Sequence, residues 1–297
     1  MQKLLLIVNP KSGRRRGRLQ GEHAISLLNA NNIKTDVRLT EYPGHATKLA
    51  RSLDLTHYDG LCIVGGDGTI HEVVNGLMNR LQPVAIPLGL IAAGTSNSLH
   101  QQFGFQNSRD SIDRILTGKI QPLDLLRIKF EGNVSYCVHI VGWASVSGIA
   151  SRAEKMRCLG STRYSLAAIA EILIATPLQA TITIDNEKIQ DEFHLVIGCN
   201  TVNIGSGMKM APSASIHDGQ VDLVLVRCIS RFQMLNLFRL VRSGAHVNLP
   251  YVEYHKAKRF KLESDHFSGI NLDGDVPFEK TTGFEVEVIP NAIDVFA

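Results

Sequence analysis

Three short stretches carry residue types suited to chemistry on a phosphate: Gly65-Gly66-Asp67-Gly68-Thr69, Asn9-Pro10-Lys11-Ser12-Gly13 and Gly94-Thr95-Ser96-Asn97. Glycines remove the side chains that would keep a phosphate away from backbone N–H groups. Asp67 is the oddity, because a carboxylate repels the anion that such a loop attracts. It makes sense if it handles a proton or a metal ion beside the phosphate, as phosphoryl transfer to a hydroxyl requires. Read alone, the same residues also suit a plain helix cap and a chain turn. A basic cluster, Arg14, Arg15, Arg16 and Arg18, follows the first stretch. It reads either as a solvated helix start or as a further phosphate-facing loop, and it lacks the spacing of a Walker P-loop.

The elements that must position these stretches are legible around them. Leu4 to Val8, Leu61 to Val64 and Val84 to Ile91 are apolar runs of strand length, and Val37 and Leu39 alternate with polar residues in another strand. Helical spacing links Ala24, Leu27 and Leu28, then Ala46, Leu49, Ala50 and Leu53, then Ile70, Val73, Val74 and Leu77. Strands alternating with helices predict a parallel sheet covered on both faces, with ligands beyond the strand C-termini. All three stretches follow such strands, so they meet at one edge.

Beyond residue 121 the texture changes. Strand candidates cover Leu125 to Phe130, Val134 to Val141, Ala180 to Asp185, Phe193 to Cys199, Val221 to Val226, Tyr251 to Leu262 and Phe284 to Ile289. Two helices interrupt them, near Leu166 to Ala175 and from a capping Ser230 to Arg242. The expected architecture is an α/β nucleotide-binding domain over residues 1–121, followed by an antiparallel β-sandwich over 122–297. Phe232, Leu235, Phe238 and Val241 are expected in the core of the second domain.

Composition narrows the function classes. With 44% apolar residues the chain can bury a full core, and a net charge of only +3 gives no electrostatic case for nucleic acid. Five scattered cysteines without a Cys-x-x-Cys pair fit reduced, buried thiols and a cytoplasmic home. No run reaches the ~18 apolar residues of a transmembrane span; the nearest, Leu166 to Thr176, is broken by Glu171 and stopped by Pro177. Any membrane association is expected to be peripheral. His71-Glu72-Val73-Val74-Asn75 misses the zinc-protease pattern by its last residue, and Glu72 is expected on a helix face toward the cleft.

Taken in order, these motifs and His71-Glu72-Val73-Val74-Asn75-Gly76 resemble the diacylglycerol kinase catalytic-domain superfamily, nearest its sphingoid base kinase branch. The resemblance implies a first domain like those of NAD kinase and phosphofructokinase, a lipid-holding sandwich, and ATP with Mg2+ in the cleft. It implies Asp67 as general base toward a lipid hydroxyl, and Gly66, Gly68 and Thr69 around phosphate. Asn9, Ser12, Gly13, Gly94, Thr95 and Asn97 would line the nucleotide pocket. In Glu154-Lys155-Met156-Arg157-Cys158-Leu159-Gly160-Ser161-Thr162-Arg163, Arg157 and Arg163 match phosphate-binding arginines. In Leu272-Asp273-Gly274-Asp275, Asp273 would organise metal and phosphate and Asp275 would lie near the nucleotide; without the resemblance this is an ordinary Asp-Gly hairpin turn.

One departure bears on substrate. Gly148 and Ala150 stand where the sphingoid base kinases carry acids, one of which meets the substrate amine. A buried amine needs a counter-charge, so either the substrate is a neutral lipid such as diacylglycerol or ceramide, or another acid takes over. The expected partner is a lipid at a membrane surface, and a homodimer is among the assemblies open to the chain. The rival readings are NAD kinase, in which an Asn-Glu pair would stand where Asn97-Ser98 does here, and a non-catalytic lipid-binding protein.

Overall fold

A computed structural model describes residues 1–156, 159–160, 162–205 and 207–297. The chain forms two units, one of Met1–Leu123 with Asn291–Ala297 and the other of Asp124–Pro290. The change of unit falls close to residue 121, but the last seven residues leave the second unit, against the expected domain limits. Val295 pairs in parallel with Leu88, and Phe296 joins the first unit's core, where its ring is one of the atoms any side chain at Gly60 would strike.

The first unit alternates β1 (Lys3–Val8), α1 (Ser12–Arg15), α2 (Gly17–Ala30), β2 (Lys34–Leu39), α3 (His45–Ser52), β3 (Gly60–Gly65), α4 (Asp67–Met78), β4 (Leu88–Ala92), α5 (Ser98–Gln102) and α6 (Ser108–Thr117). Its strands pair in parallel in the order β2-β1-β3-β4. Leu4, Leu6 and Val8 pack with Ala24 and Leu28 of α2 and Ile112 and Ile115 of α6. Leu5 and Ile7, equally buried, point to the opposite face. The expected fourth strand starts late: Pro87 removes a donor from its first half, and pairing begins at Leu88. Glu72 does not face a cleft. Its carboxylate accepts the N–H groups of Gly44 and Ala46 and so caps α3.

The second unit contains most of β5 (Ile120–Phe130), then β6 (Asn133–Cys137), β7 (Ile140–Ala144), α7 (Ser145–Lys155), α8 (Thr162–Ile174), β8 (Leu178–Ile184), β9 (Glu187–Cys199), β10 (Val221–Arg227), α9 (Arg231–Val241), β11 (Val252–Ala257), β12 (Arg259–Leu272) and the start of β13 (Asp275–Phe296). Its strands pair antiparallel in the order β11-β10-β9-β7-β12-β13, with β8 also joining β9 and β12. Trp143, Phe193, Phe260 and Phe284 share one core, and α9 covers a second one through Leu237 and Val241. Ser230 and Gln233 form a reciprocal capping box at the start of α9. Phe232 and Leu235 are not core residues, being 85% and 41% exposed. Cys62, Cys137 and Cys199 are buried free thiols, and burial pushes Cys62 up to about 12; Cys228 is exposed, against expectation.

Asp222 is fully buried and accepts the Tyr254 hydroxyl at 2.6 Å, and burial raises its carboxyl above the ordinary 3.8. A raised folded-state value means the native chain holds this proton more tightly than the unfolded one. That stabilisation is complete below the ordinary value and is lost as pH rises through the raised one. Asp222→Asn, which cannot ionise, is expected to remove this part of the fall in melting temperature with rising pH, measured by thermal denaturation across the mildly acidic range.

Candidate active site

In the first unit the three loops meet at the C-terminal edge of the sheet. Asn9 N–H bonds to Val64 O at 2.9 Å, and Ala93 N–H bonds to Gly65 O at 2.9 Å, so the β-ladder carries each loop to the same level. Asn9 Nδ2 donates to the buried Thr69 hydroxyl at 3.0 Å, tying the first loop to the second. The second and third loops touch through bare backbone. A Cβ on Gly66 would lie 2.8 Å from Gly94 Cα, and one on Gly94 would lie 2.4 Å from Gly66 Cα. Gly13 adopts φ +54 and would drive a Cβ to 2.0 Å from Ala93 O. These three glycines are therefore demanded by the loops' mutual approach, before any ligand is considered.

Asp67 opens α4 and is half-buried. Its two oxygens accept Ser98 N–H at 3.1 Å and Leu99 N–H at 3.4 Å, the opening amides of α5. Asn97, at φ 50, turns the chain into α5 and closes its own loop by exchanging bonds with Gly94 N–H and O at 2.9 and 3.1 Å. The carboxylate is thus held by charge-assisted bonds to backbone, with one orientation fixed before any substrate arrives. Gly68, next to it, is exposed, and nothing in the protein lies within 4 Å of where its Cβ would be. Ser12, Thr69 and Asn97 share this edge, and Thr95 is exposed on it. Of the basic cluster, Arg16 bonds back to Gly13 O and Arg18 pairs with Glu22, while Arg15 is exposed; each reads as solvated helix start.

In the second unit the Asp-Gly turn is both a hairpin and a clamp. Asp273 and Gly274 take φ 54 and 102 between β12 and β13, and the Asp273 carboxylate accepts Val138, His139 and Ile140 N–H at 2.8, 2.8 and 3.0 Å. Those bonds explain why Val134 to Val141 is not one strand: three donors turn to a side chain instead of a neighbouring strand. Asp275 is exposed at the start of β13. Arg163 Nη2 donates to Tyr164 Oη at 3.1 Å, and a Cβ on Gly274 would lie 3.5 Å from the same hydroxyl. Tyr164 therefore bridges Arg163 and the Asp-Gly turn, a role that only tertiary structure reveals. Arg157 lies outside the described residues.

The space of the missing acid at Gly148 is filled. A Cβ there would lie 2.3 Å from Glu171 Oε1, so the α8 carboxylate sits directly over α7, where it accepts Arg152 Nε at 2.9 Å. Helix α7 itself starts from Ala144 at φ 58, ψ −125, a conformation natural only to glycine. Ala144→Gly is expected to stabilise the chain by about 1 kcal/mol, seen as a higher midpoint in urea.

The residues fit a polyphosphate, because three glycine-bearing loops and the first turn of α4 present backbone to one place. In the second unit Asp273 suits magnesium in donor chemistry, because its carboxylate oxygens are the ligands of a hard cation, which keeps water and phosphate as its other ligands.

A model of the diacylglycerol kinase catalytic domain matches residues 3–128, and one of the YegS C-terminal NAD kinase beta sandwich-like domain matches 142–297. This chain belongs to the diacylglycerol kinase catalytic-domain superfamily of lipid kinases. It is 28% identical to sphingosine kinase 1 of Arabidopsis thaliana over 93% of this chain and 68% of that one. It is equally 28% identical to diacylglycerol kinase of Bacillus subtilis (strain 168), over 93% of this chain and 90% of that one. The crystal structure of a diacylglycerol kinase from Bacillus anthracis str. Sterne shares the fold, with TM-score 0.76 and 20% identity over 99% and 96% of the two chains. Members of both lipid kinase types thus stand at the same distance from this superfamily member, so the substrate has to be argued from the site.

Proposed function

We propose that this chain transfers the γ-phosphoryl group of ATP to the hydroxyl of a lipid, with Asp67 as general base. One observation carries the reading: a carboxylate anchored by two backbone amides at a sheet edge where three glycine-bearing loops converge. Asp67 accepts the hydroxyl proton while the lipid oxygen attacks the γ-phosphorus; the bond from that phosphorus to the bridging oxygen breaks, and its electron pair leaves with ADP. Gly66, Gly68 and Thr69 receive phosphate oxygens on backbone and hydroxyl. Asn9, Ser12, Gly13, Gly94, Thr95 and Asn97 frame the nucleotide. Arg163, with Arg157, neutralises charge on the phosphoryl group, and the Tyr164 contact supports Arg163 in a fixed direction. Asp273 orders the 138–140 turn and, with phosphate and water, would hold magnesium, which when bound draws off negative charge at the phosphates; the resemblance gives Asp275 a role beside the nucleotide. Incubating the protein with Mg-ATP labelled at the γ-position and a panel of hydroxyl lipids plus NAD, then separating products on thin layers, tests this. Label in a lipid phosphate supports it, and label in NADP or in nothing overturns it.

For the acceptor, the Arg152–Glu171 pair favours a neutral headgroup. Glu171 stands in for the acid missing at Gly148, but Arg152 already balances its charge. An ammonium there would compete with a guanidinium. Diacylglycerol is therefore expected to outpace sphingosine, and Arg152→Gln, by freeing Glu171, is expected to shift kcat/KM toward sphingosine about fivefold to tenfold. A wild-type preference for sphingosine defeats the neutral-headgroup reading.

A further inference from the structure

The run that comes nearest to the length of a membrane span and the helix expected to be core both expose apolar side chains. On α8, Leu166, Ile169 and Leu173 recur at three and four residues, and Leu173 is 60% exposed. On α9, Phe232 and Leu235 fall in line with Arg239 and Arg242, opposite the buried Met234, Leu237 and Val241. The helices are joined where Arg231 Nη1 donates to Ile172 O at 2.6 Å, which brings Leu173 and Phe232 to one neighbourhood. Among the described residues no helix is long and apolar enough to cross a membrane.

We propose that this α8–α9 face is the surface by which the protein docks on an anionic bilayer, Phe232, Leu235, Leu166 and Leu173 entering the acyl boundary while Arg239 and Arg242 meet lipid phosphates. It deepens the lipid kinase reading and rests on it, since an enzyme whose acceptor is dissolved in a bilayer must reach that bilayer. Charge selects the occupant. From Ile229 to Val252 the chain has no acidic residue, and the one acid of α8, Glu171, is paired with Arg152. Phe and Leu beside arginines on one face is the composition that partitions to anionic interfaces. A second copy is a poor occupant, because a two-fold interface would set these arginines against each other without acids to answer them.

Flotation of the full chain with vesicles of phosphatidylcholine alone, or mixed with phosphatidylglycerol, tests the assignment. Wild type is expected to float with the mixed vesicles. Phe232→Ser with Leu173→Ser is expected to lower partitioning about tenfold, and Arg239→Gln with Arg242→Gln about fivefold per arginine, removing the preference for anionic lipid. Both pairs lie on the surface, so melting temperature and turnover of micelle-dispersed lipid should hold. A wild type that stays off anionic vesicles, double variants that bind unchanged, or a wild-type dimer made monomeric by Phe232→Ser overturns the docking face. Patch-dependent binding by a chain that phosphorylates no lipid would sink the kinase reading while leaving the face intact. Phosphorylation with patch-independent binding would do the reverse.

Discussion

Asp67→Asn is expected to lower lipid phosphorylation by about 10²- to 10⁴-fold, the usual loss on removing a general base, with ATP binding close to wild type. Asparagine preserves shape and one acceptor oxygen, so it can still take the Ser98 N–H bond and forfeits the longer Leu99 bond. That loss costs about 1 kcal/mol, a shift of a few degrees in melting temperature, too little to unfold a two-unit chain. Measuring labelled lipid phosphate and nucleotide binding on the same preparation separates the two roles open to this carboxylate. If it only caps α5, the variant loses a little stability and keeps turnover within a few-fold, and the general-base assignment is wrong.

The loops around Asp67 were legible in the sequence because their information is local. A run of apolar residues, then glycines with Asn or Ser, specifies a strand end and a backbone-lined turn, and the alternation of strands and helices places such turns at one edge. What failed was whatever depended on a distant partner. Glu72 reads as a cleft residue until α3 arrives with two open N–H groups for it to cap. Apolar residues lie all around α9, so spacing alone cannot say that Met234 goes in and Phe232 stays out. Helix α7 begins after a strained Ala144 without a side-chain cap, and its opening Ser-Val-Ser-Gly has weak helix propensity, so no local signal announced it. The Asp273 clamp and the Glu171 carboxylate over Gly148 join residues far apart in sequence; the resemblance marked the positions but could not show what filled them.

Gly68→Ala is the sharper test of where phosphate lies, because this glycine has no structural need to be one. Gly13, Gly66 and Gly94 are fixed by contacts with neighbouring backbone, so alanine at any of them should damage the fold and ATP binding together. At Gly68 a methyl group meets no protein atom within 4 Å, and the position lies in the first turn of α4 with ordinary φ. Alanine there should therefore stabilise the free chain by about 0.5 to 1 kcal/mol through its better helix propensity and a less flexible unfolded state. If a phosphate packs against this backbone, the same methyl stands in its way. The expected result is a KM for ATP raised tenfold or more, with a melting temperature at or above wild type. Opposite signs in the two readouts would mark Gly68 as a glycine kept for the ligand, since a loss through structure would move both the same way. An unchanged KM would place the phosphates elsewhere and remove Gly68 from the nucleotide site.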